Sequence, residues 1–398
     1  MININDVDSP FYAGIPVSPD NFIGREEVLE NILKRIASIN TNKQQHFFIT
    51  GERGIGKTSL TNYIADIVEK EFEYFTIHIE NNGVDSTEEL LQNIIAKILE
   101  EAKKESISTR FKELIKDNVE SVGAWKTQIK LSKQSSLLGD IKHTFIYTVQ
   151  DLLGDIHNKK GILIIIDDIN GLSDNEEFPN WYKSMVDTIA VSSDLNLKIA
   201  CILTGYTEKF AKLHKLNPSF SRIFYREDLD ILKDEEVQKF YIKSFKKIGV
   251  TINEDALDLM IKYAKGLPLI MQEIGLSLFY KLKISKCITL EKTIDALSDV
   301  RENIGKQLIY PYFEESEKRR EYKSLLLKIS QYKEFKFKKD DLEKITFANE
   351  EKVLDDFLKL CIDLSMLKLE NDEYIISNNI LKTYFKLLEF ENFHKMIV

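Results

Sequence analysis

Cysteine is scarce in this chain: Cys201, Cys287 and Cys361 are the only three among 398 residues, far apart and without His or Cys neighbours at metal-ligand spacing. They read as core thiols in a reducing compartment. Long apolar runs are missing too, and none approaches the ~20 residues that a membrane-spanning helix requires. The amino terminus, Met1 to Asp6, has neither the basic start nor the apolar core of a signal peptide, so the cytoplasm is the expected location and no membrane partner is expected. Positive charge is not in excess. A formal net charge of −9 argues against a surface built as a whole for DNA, although a local basic face stays open. There is no internal repeat and no low-complexity tract. Hydrophobic residues at 43% and charged residues at 30% describe an ordinary globular chain, too long for one typical core. Two or three domains are expected.

The sequence does hold a complete G-x-x-x-x-G-K-[ST] loop, Gly51-Glu52-Arg53-Gly54-Ile55-Gly56-Lys57-Thr58. The apolar run 46–50 precedes it, and the helical stretch beginning at Ser59 follows. Glycines let consecutive backbone N–H groups curl around a phosphate, and the following helix presents the positive end of its dipole. Lys57 is placed to reach the β- and γ-phosphates, and Thr58 to ligate Mg²⁺. Residues 52 to 59 are therefore the predicted nucleotide-binding residues. A second signal is Gly161-Ile162-Leu163-Ile164-Ile165-Ile166-Asp167-Asp168. The five aliphatic residues predict a strand buried on both faces of a parallel sheet. The two aspartates fall at its carboxyl end, where open α/β sheets bind ligands. Asp167 is then placed to hold the Mg²⁺ shell, and Asp168 to orient or deprotonate the attacking water.

Five strands are predicted, at 46–50, 74–80, 162–167, 198–204 and 223–231, after a first helix over 25–39. Helices at 59–70, 87–105, 137–157 and 180–191 separate them, so the fold class is α/β with parallel β-α-β winding. Residues 106–136 are polar and weakly periodic, an excursion from the sheet layer. One strand stands between the phosphate-loop strand and the Asp-Asp strand, the additional-strand arrangement. Strand patterns then stop. Helices are predicted at 234–247, 254–265, 268–283 and 290–307, a helical lid, and at 317–329, 339–345 and 350–363. Alternation over 367–376 predicts a hairpin around Asn371-Asp372. Three helices and a hairpin outline a winged helix. The expected domains are 1–232, a P-loop core; 233–312, the lid; and 313–398, the winged-helix-like part.

With these motifs in this order the chain resembles AAA+ or STAND-type P-loop ATPases of the Orc1-like and archaeal-type ATPase group, which implies ATP as ligand and ATP hydrolysis as activity. Asn21-Phe22-Ile23-Gly24-Arg25-Glu26-Glu27 resembles the family's FxGRE motif, implying adenine contact by Phe22, Ile23 and Arg25. The alternative is local: Phe22 packing inward and Asn21 capping the helix. Thr204, ending the strand beside the Asp-Asp strand, resembles sensor 1; a buried hydroxyl there needs either a ligand or a backbone partner. Pro218-Ser219-Phe220-Ser221-Arg222 is similar to the family's arginine-finger element. Arg222 is thus implied to neutralise charge on a neighbouring subunit's γ-phosphate, unless it pairs with Asp194 or Glu208, or Arg226 serves instead. Gly266-Leu267-Pro268-Leu269 matches the GLPL motif, in which the proline lies near the base.

Two departures weigh on function. Residues 268–280 contain no Arg that would serve as sensor 2, Lys281 coming too late, and Asp168 stands where AAA+ motors commonly have Glu. Both lean toward a slow nucleotide-dependent switch. Since no sensor or effector domain is left over, self-assembly or a separate protein partner is expected. The alternative is an initiator or loader placing its winged helix on duplex DNA. Against it, residues 350–360 carry four carboxylates and two lysines, and the wing tip Glu370-Asn371-Asp372-Glu373 is acidic, whereas DNA-binding helices need cations facing phosphates. Lys333, Lys336, Lys338 and Lys339 could still form a basic edge, the alternative being a solvated face. A small-molecule kinase is disfavoured by the inserted strand and the lack of an acceptor pocket.

Overall fold

The computed structural model describes residues 8–40, 44–81, 83–104, 136–154, 159–282, 286–314 and 316–397. The excursion expected over 106–136 lies outside these residues, except for Ser136, which opens a helix. Two compact units emerge. One comprises Ser18–Arg53 with Lys57–Asp230; the other comprises Met1–Val17, Gly54–Gly56 and Ile231–Val398.

The first unit is built on a five-stranded parallel sheet: β1 (Gln44–Thr50), β2 (Phe75–Glu80), β3 (Ile162–Asp167), β4 (Ile199–Gly205) and β5 (Tyr225–Asp228), in the order β2-β3-β4-β1-β5. Every residue of β3 and β4 is buried, as aliphatic strands covered by helices on both faces must be. The edge strands β2 and β5 instead alternate in burial, one face toward the core and one toward solvent. Inserting β4 between β1 and β3 sets Thr204 beside the carboxyl end of β3. All five predicted strands are present. The fifth is shorter than 223–231; one further bond, Leu229 N–H to Thr50 O at 2.8 Å, continues the pairing with β1. Around the sheet stand α1 (Glu26–Ala37), α2 (Lys57–Glu71), α3 (Thr87–Lys104), α4 (Ser136–Gly154), α5 (Glu177–Val191) and α6 (Thr207–Leu216). The apolar faces of α3 to α6 join Phe48, Ile164, Leu203, Phe220 and Phe224 in one core.

The second unit contains the predicted helices α7 (Asp234–Lys247), α8 (Glu254–Ala264), α9 (Pro268–Lys281) and α10 (Leu290–Ile304). Gly266 sits at φ 65°, where a Cβ would meet Leu232 O at 2.0 Å, so the glycine of Gly266-Leu267-Pro268-Leu269 answers both a left-handed turn and a backbone crossing. Pro268 occupies the first helical turn, where its missing N–H is no loss. A two-residue parallel pair, β6 (Thr251–Ile252) with β7 (Cys287–Ile288), was too short to read from pattern. It also corrects the reading of Cys287, which is half-buried, whereas Cys201 and Cys361 are buried. At the other end of the chain Phe11 packs between Phe240 and Phe245 and covers Gly275, whose Cβ would lie 2.2 Å from the ring.

Beyond the four helices come α11 (Arg319–Ile329), β8 (Lys336–Phe337), α12 (Leu354–Asp363), β9 (Leu367–Glu370), β10 (Glu373–Ile376) and α13 (Asn379–Ile397), with short helical turns at Lys339–Glu343 and Ala348–Glu351. The hairpin turn places Asn371 and Asp372 at φ 51° and 64°, the left-handed pair that a two-residue loop requires. The third strand β8, on the other side of β10, and the closing helix α13 were not anticipated. Among the described residues no helix is long and apolar enough to cross a membrane.

In the first unit His46 on β1 is buried between Tyr182 Oη (2.8 Å to Nδ1) and Gln44 Oε1 (2.9 Å to Nε2), and burial depresses its pKa to about 3. The unfolded imidazole titrates near 6.5, so above that pH the group contributes nothing to pH dependence. Below it the unfolded chain takes up a proton that the folded chain refuses, and stability falls by about 1.4 kcal/mol per pH unit. Between pH 7 and 5 this amounts to roughly 2 kcal/mol. In urea melts at the two pH values the loss should be smaller by that amount in His46→Gln; an equal loss in both proteins would show that His46 is not the acid-sensitive group.

Candidate functional site

The site grows from the carboxyl ends of three adjacent strands, all within the first unit. Past β1 the loop Gly51–Gly56 turns through left-handed residues at Gly54 (φ 77°) and Gly56 (φ 93°) into α2, which starts at Lys57. The Lys57 ammonium donates to Gly51 O (2.8 Å) and Glu52 O (3.1 Å), with Nζ 4.8 Å from the centre of the Tyr206 ring. Burial lowers its pKa, and the carboxylates of Asp167, Asp168, Glu52 and Glu208 oppose the shift.

Asp167, the last residue of β3, is the hub. Thr58 Oγ1 donates to its Oδ2 at 2.5 Å, and Thr204 Oγ1 donates to its Oδ1. Burial works to raise the carboxyl pKa, but the neighbouring His78 imidazole and the bonds from Thr204 and Thr58 outweigh it and hold the pKa below the ordinary value. His78 Nε2 is 3.8 Å from Oδ2, beyond hydrogen-bond distance. From β2's end, Asn81 donates its backbone N–H to Asp167 O at 2.9 Å.

Thr204 has no unused proton. Its one hydroxyl hydrogen goes to Asp167, while its oxygen accepts the Asp168 N–H at 2.9 Å. The Asp168 N–H is thus a backbone partner of this buried hydroxyl. Asp168 itself adopts φ 63°, left-handed backbone that Asp tolerates better than most residues. Its Oδ1 accepts from Asn170 N (3.2 Å) and from Asn170 Nδ2, while Asn170 Oδ1 accepts the Tyr206 N–H at 3.2 Å.

Lys57, Thr58, Asp167, Asp168 and Thr204 are thus brought together as the motifs imply. Around the same loop Glu52 is half-buried, Arg53 exposed and Ile55 buried, with Ser59 following in α2. Phe22 stacks on Tyr63 of α2 at 4.7 Å between ring centres, and Ile23 follows it half-buried. Arg25 is the left-handed residue before α1, and its guanidinium donates to Asp230 O at 2.8 Å. Asn21 does not cap α1, which starts five residues later; it closes a short turn over Pro19–Asn21. Arg222 is exposed, and among the described residues neither Asp194 nor Glu208 nor any other carboxylate pairs with it. Arg226 is taken: Asp228 binds it at 2.6 Å, and its guanidinium lies over Phe210. In the second unit, to which Gly54–Gly56 belong, Leu269 N–H donates to Gly54 O at 3.2 Å, and a Cβ on Gly56 would lie 3.7 Å from the Pro268 ring.

Four residues of the network escaped the sequence reading. Asn170 had a local signal, since Asp-x-Asn is the spacing of a side-chain-to-backbone turn. Tyr206, His78 and Asn81 become neighbours of the site only once the strand order is known.

Residues 21–185 match the AAA ATPase domain family. The fold of the chain is similar to that of a Walker-type ATPase of Pyrococcus abyssi (TM-score 0.57, 15% identity, covering 96% of this chain and 99% of that one). It is also similar to the ORC2 protein of Aeropyrum pernix, solved as ADPNP–ADP complexes (0.56, 12%, 96% and 97%), and to the ORC1 protein of the same organism in complex with DNA (0.51, 10%, 95% and 95%). No curated protein matches the sequence.

Lys57 is the lysine of the Gly51–Thr58 loop, at the start of α2. A hydrogen bond to a charged group contributes about 1.5–3 kcal/mol. Lys57→Ala should therefore weaken ATP binding about 10- to 100-fold in calorimetry; unchanged affinity would contradict the phosphate-loop assignment.

Proposed function

We propose that the protein is an ATP-dependent switch that hydrolyses slowly and works by self-assembly or by engaging a separate protein. The observation that carries the ATPase reading is the convergence of Lys57, Thr58, Thr204 and both aspartates at adjoining strand ends. Within this reading the core expected over 1–232 narrows to 18–230, since Met1–Val17 and Gly54–Gly56 belong to the second unit; 233–312 form a lid that follows nucleotide state, and 313–398 a winged-helix-like contact module. The order helix, strand, two helical segments and hairpin supports that last assignment.

Thr58 and Asp167 fit a magnesium ion: both offer hard oxygen atoms, 2.5 Å from each other. Among the described residues no group of three or more His, Cys, Asp or Glu could hold a metal, which suits an ion bound largely through substrate phosphates and water. Such an ion would neutralise phosphate charge. The chain's own residues do the rest: Lys57 balances the charge of the β- and γ-phosphates, and Asp168 accepts the proton of the attacking water. Phe22, Ile23, Arg25 and Pro268 serve the base. Arg222, exposed and without a carboxylate partner, is better suited than the engaged Arg226 to reach a neighbouring copy's nucleotide. Slow turnover is supported by Asp168, one methylene shorter than Glu, and by the lack of Arg across α9. The buried free thiols Cys201 and Cys361 suit a cytoplasmic location.

Duplex DNA is the second reading, supported by the likeness to the DNA-bound ORC1 fold. Ion pairing in the carboxyl-terminal part speaks against it. Of the basic edge, Lys336 is bound to Glu334 (3.0 Å), and Lys339 to Asp355 (2.7 Å) and Glu343 (3.3 Å). The acidic count also changes: Glu350 is 2% exposed and paired with Lys328, so it presents no surface charge. Asp355 and Asp356 are paired with Lys339 and Lys318. DNA would have to break those pairs to gain phosphate contacts there; Lys333 and Lys338 are exposed and have no ion pair among the described residues.

Sedimentation with a non-hydrolysable ATP analogue, with ADP, and with added duplex DNA separates these readings. The analogue should give a heavier species, ADP should not, and DNA should change neither. In Arg222→Ala, ATP turnover should fall only at concentrations where the parent assembles. An equal loss in demonstrably monomeric protein would exclude a finger acting between copies.

A further inference from the structure

Asp168 poses a mechanical problem that the known motifs leave open. As the shorter acid it reaches less far than Glu, and an Asp side chain rotates freely unless something fixes it. Two donors fix it here. The Asn170 backbone N–H and side-chain amide both end on Oδ1. Among the described residues no hydrogen bond is made to Oδ2, which leaves one oxygen of the carboxylate able to accept a proton from water. A local turn would need only the backbone bond. The amide adds a second, and its own oxygen is fixed in turn by the Tyr206 N–H from the segment that follows β4. The Tyr206 ring is the one beside the Lys57 ammonium. One connected path therefore runs from the phosphate-loop cation through Tyr206 and Asn170 to Asp168.

We propose that Asn170 is the positioning residue of the hydrolytic step: it holds Asp168 Oδ1, presents Oδ2 to the attacking water, and ties that carboxylate to the Tyr206 segment beside Lys57. The proposal rests on the reading of Asp168 as proton acceptor. Orientation of a proton acceptor acts on turnover, not on ground-state nucleotide affinity. Asn170→Ala removes both ends of the link. Asn170→Asp keeps the size and the acceptor for Tyr206 N–H, but faces Asp168 with an oxygen instead of a donor.

The experiment is single-turnover ATP hydrolysis on the full chain, with nucleotide affinity measured in parallel by a fluorescent ATP analogue. In both variants the rate should fall roughly tenfold or more, a share of the ~100-fold to ~10,000-fold that a positioned acid or base contributes. Affinity should stay within about threefold of the parent, the mark of an interaction used only in the reaction. On an Asp168→Asn background, Asn170→Ala should cost less than about twofold, because its effect passes through the missing carboxylate. Parent-like rates in Asn170→Asp would overturn the proposal, as would faster hydrolysis in either variant or a full further loss on the Asp168→Asn background. Parent-like hydrolysis by Asp168→Asn alone would remove the underlying reading as well. A slow Asp168→Asn beside parent-like Asn170 variants sinks the proposal alone.

Discussion

A buried carboxylate held by two threonine hydroxyls is the constraint on which the site depends. Asp167 is 7% exposed at the end of a strand with no solvent on either face. Charge in such a place is costly unless each oxygen has a partner. Thr58 supplies one from the first turn of α2, and Thr204 the other from the end of β4. These two bonds fix the phosphate-loop helix and two strands relative to a single carboxylate. The strand order follows the same logic: only with β4 next to β3 can Thr204 reach Asp167 and also receive the Asp168 N–H. Thr58, Asp167 and Thr204 are therefore positioned by the core itself.

Much of this was legible from residue order. The run Ile162–Ile166 announces a strand buried on both faces, and its position before two acids places a site. Gly54, Gly56, Lys57 and Thr58 carry their chemistry in their spacing. Harder were features that depend on sheet neighbours, such as His78 on β2 and Asn81 just past its end, because nothing local records which strand will lie beside β3. Short pairings failed for another reason: two residues, as in Lys336–Phe337, give no periodicity to read. The helix α13 should have been seen, since Ile380, Leu381, Tyr384 and Phe385 repeat at helical spacing and are all buried.

Charge counting was the least dependable guide. Residues 350–360 look repulsive to DNA as a string, yet Glu350 is buried: it accepts the Phe347 N–H at 2.7 Å and pairs with Lys328, whose ammonium lies over the Phe347 ring. Its neighbours Asp355 and Asp356 are neutralised across the fold. A sequence gives the inventory of charges; packing decides which of them a partner would meet. The case against DNA therefore rests on the engagement of Lys336 and Lys339 more than on acidic excess.

The central claim is that Asp167, gripped by Thr58 and Thr204, is where the nucleotide's metal is held. Calorimetric titration of ATP into Asp167→Asn, in magnesium and again in EDTA, tests it most directly. The parent should bind ATP more tightly when magnesium is present. The asparagine, with no charge and one oxygen fewer, should bind with nearly the same affinity in both buffers. A variant that keeps the parent's full gain from magnesium would contradict the account.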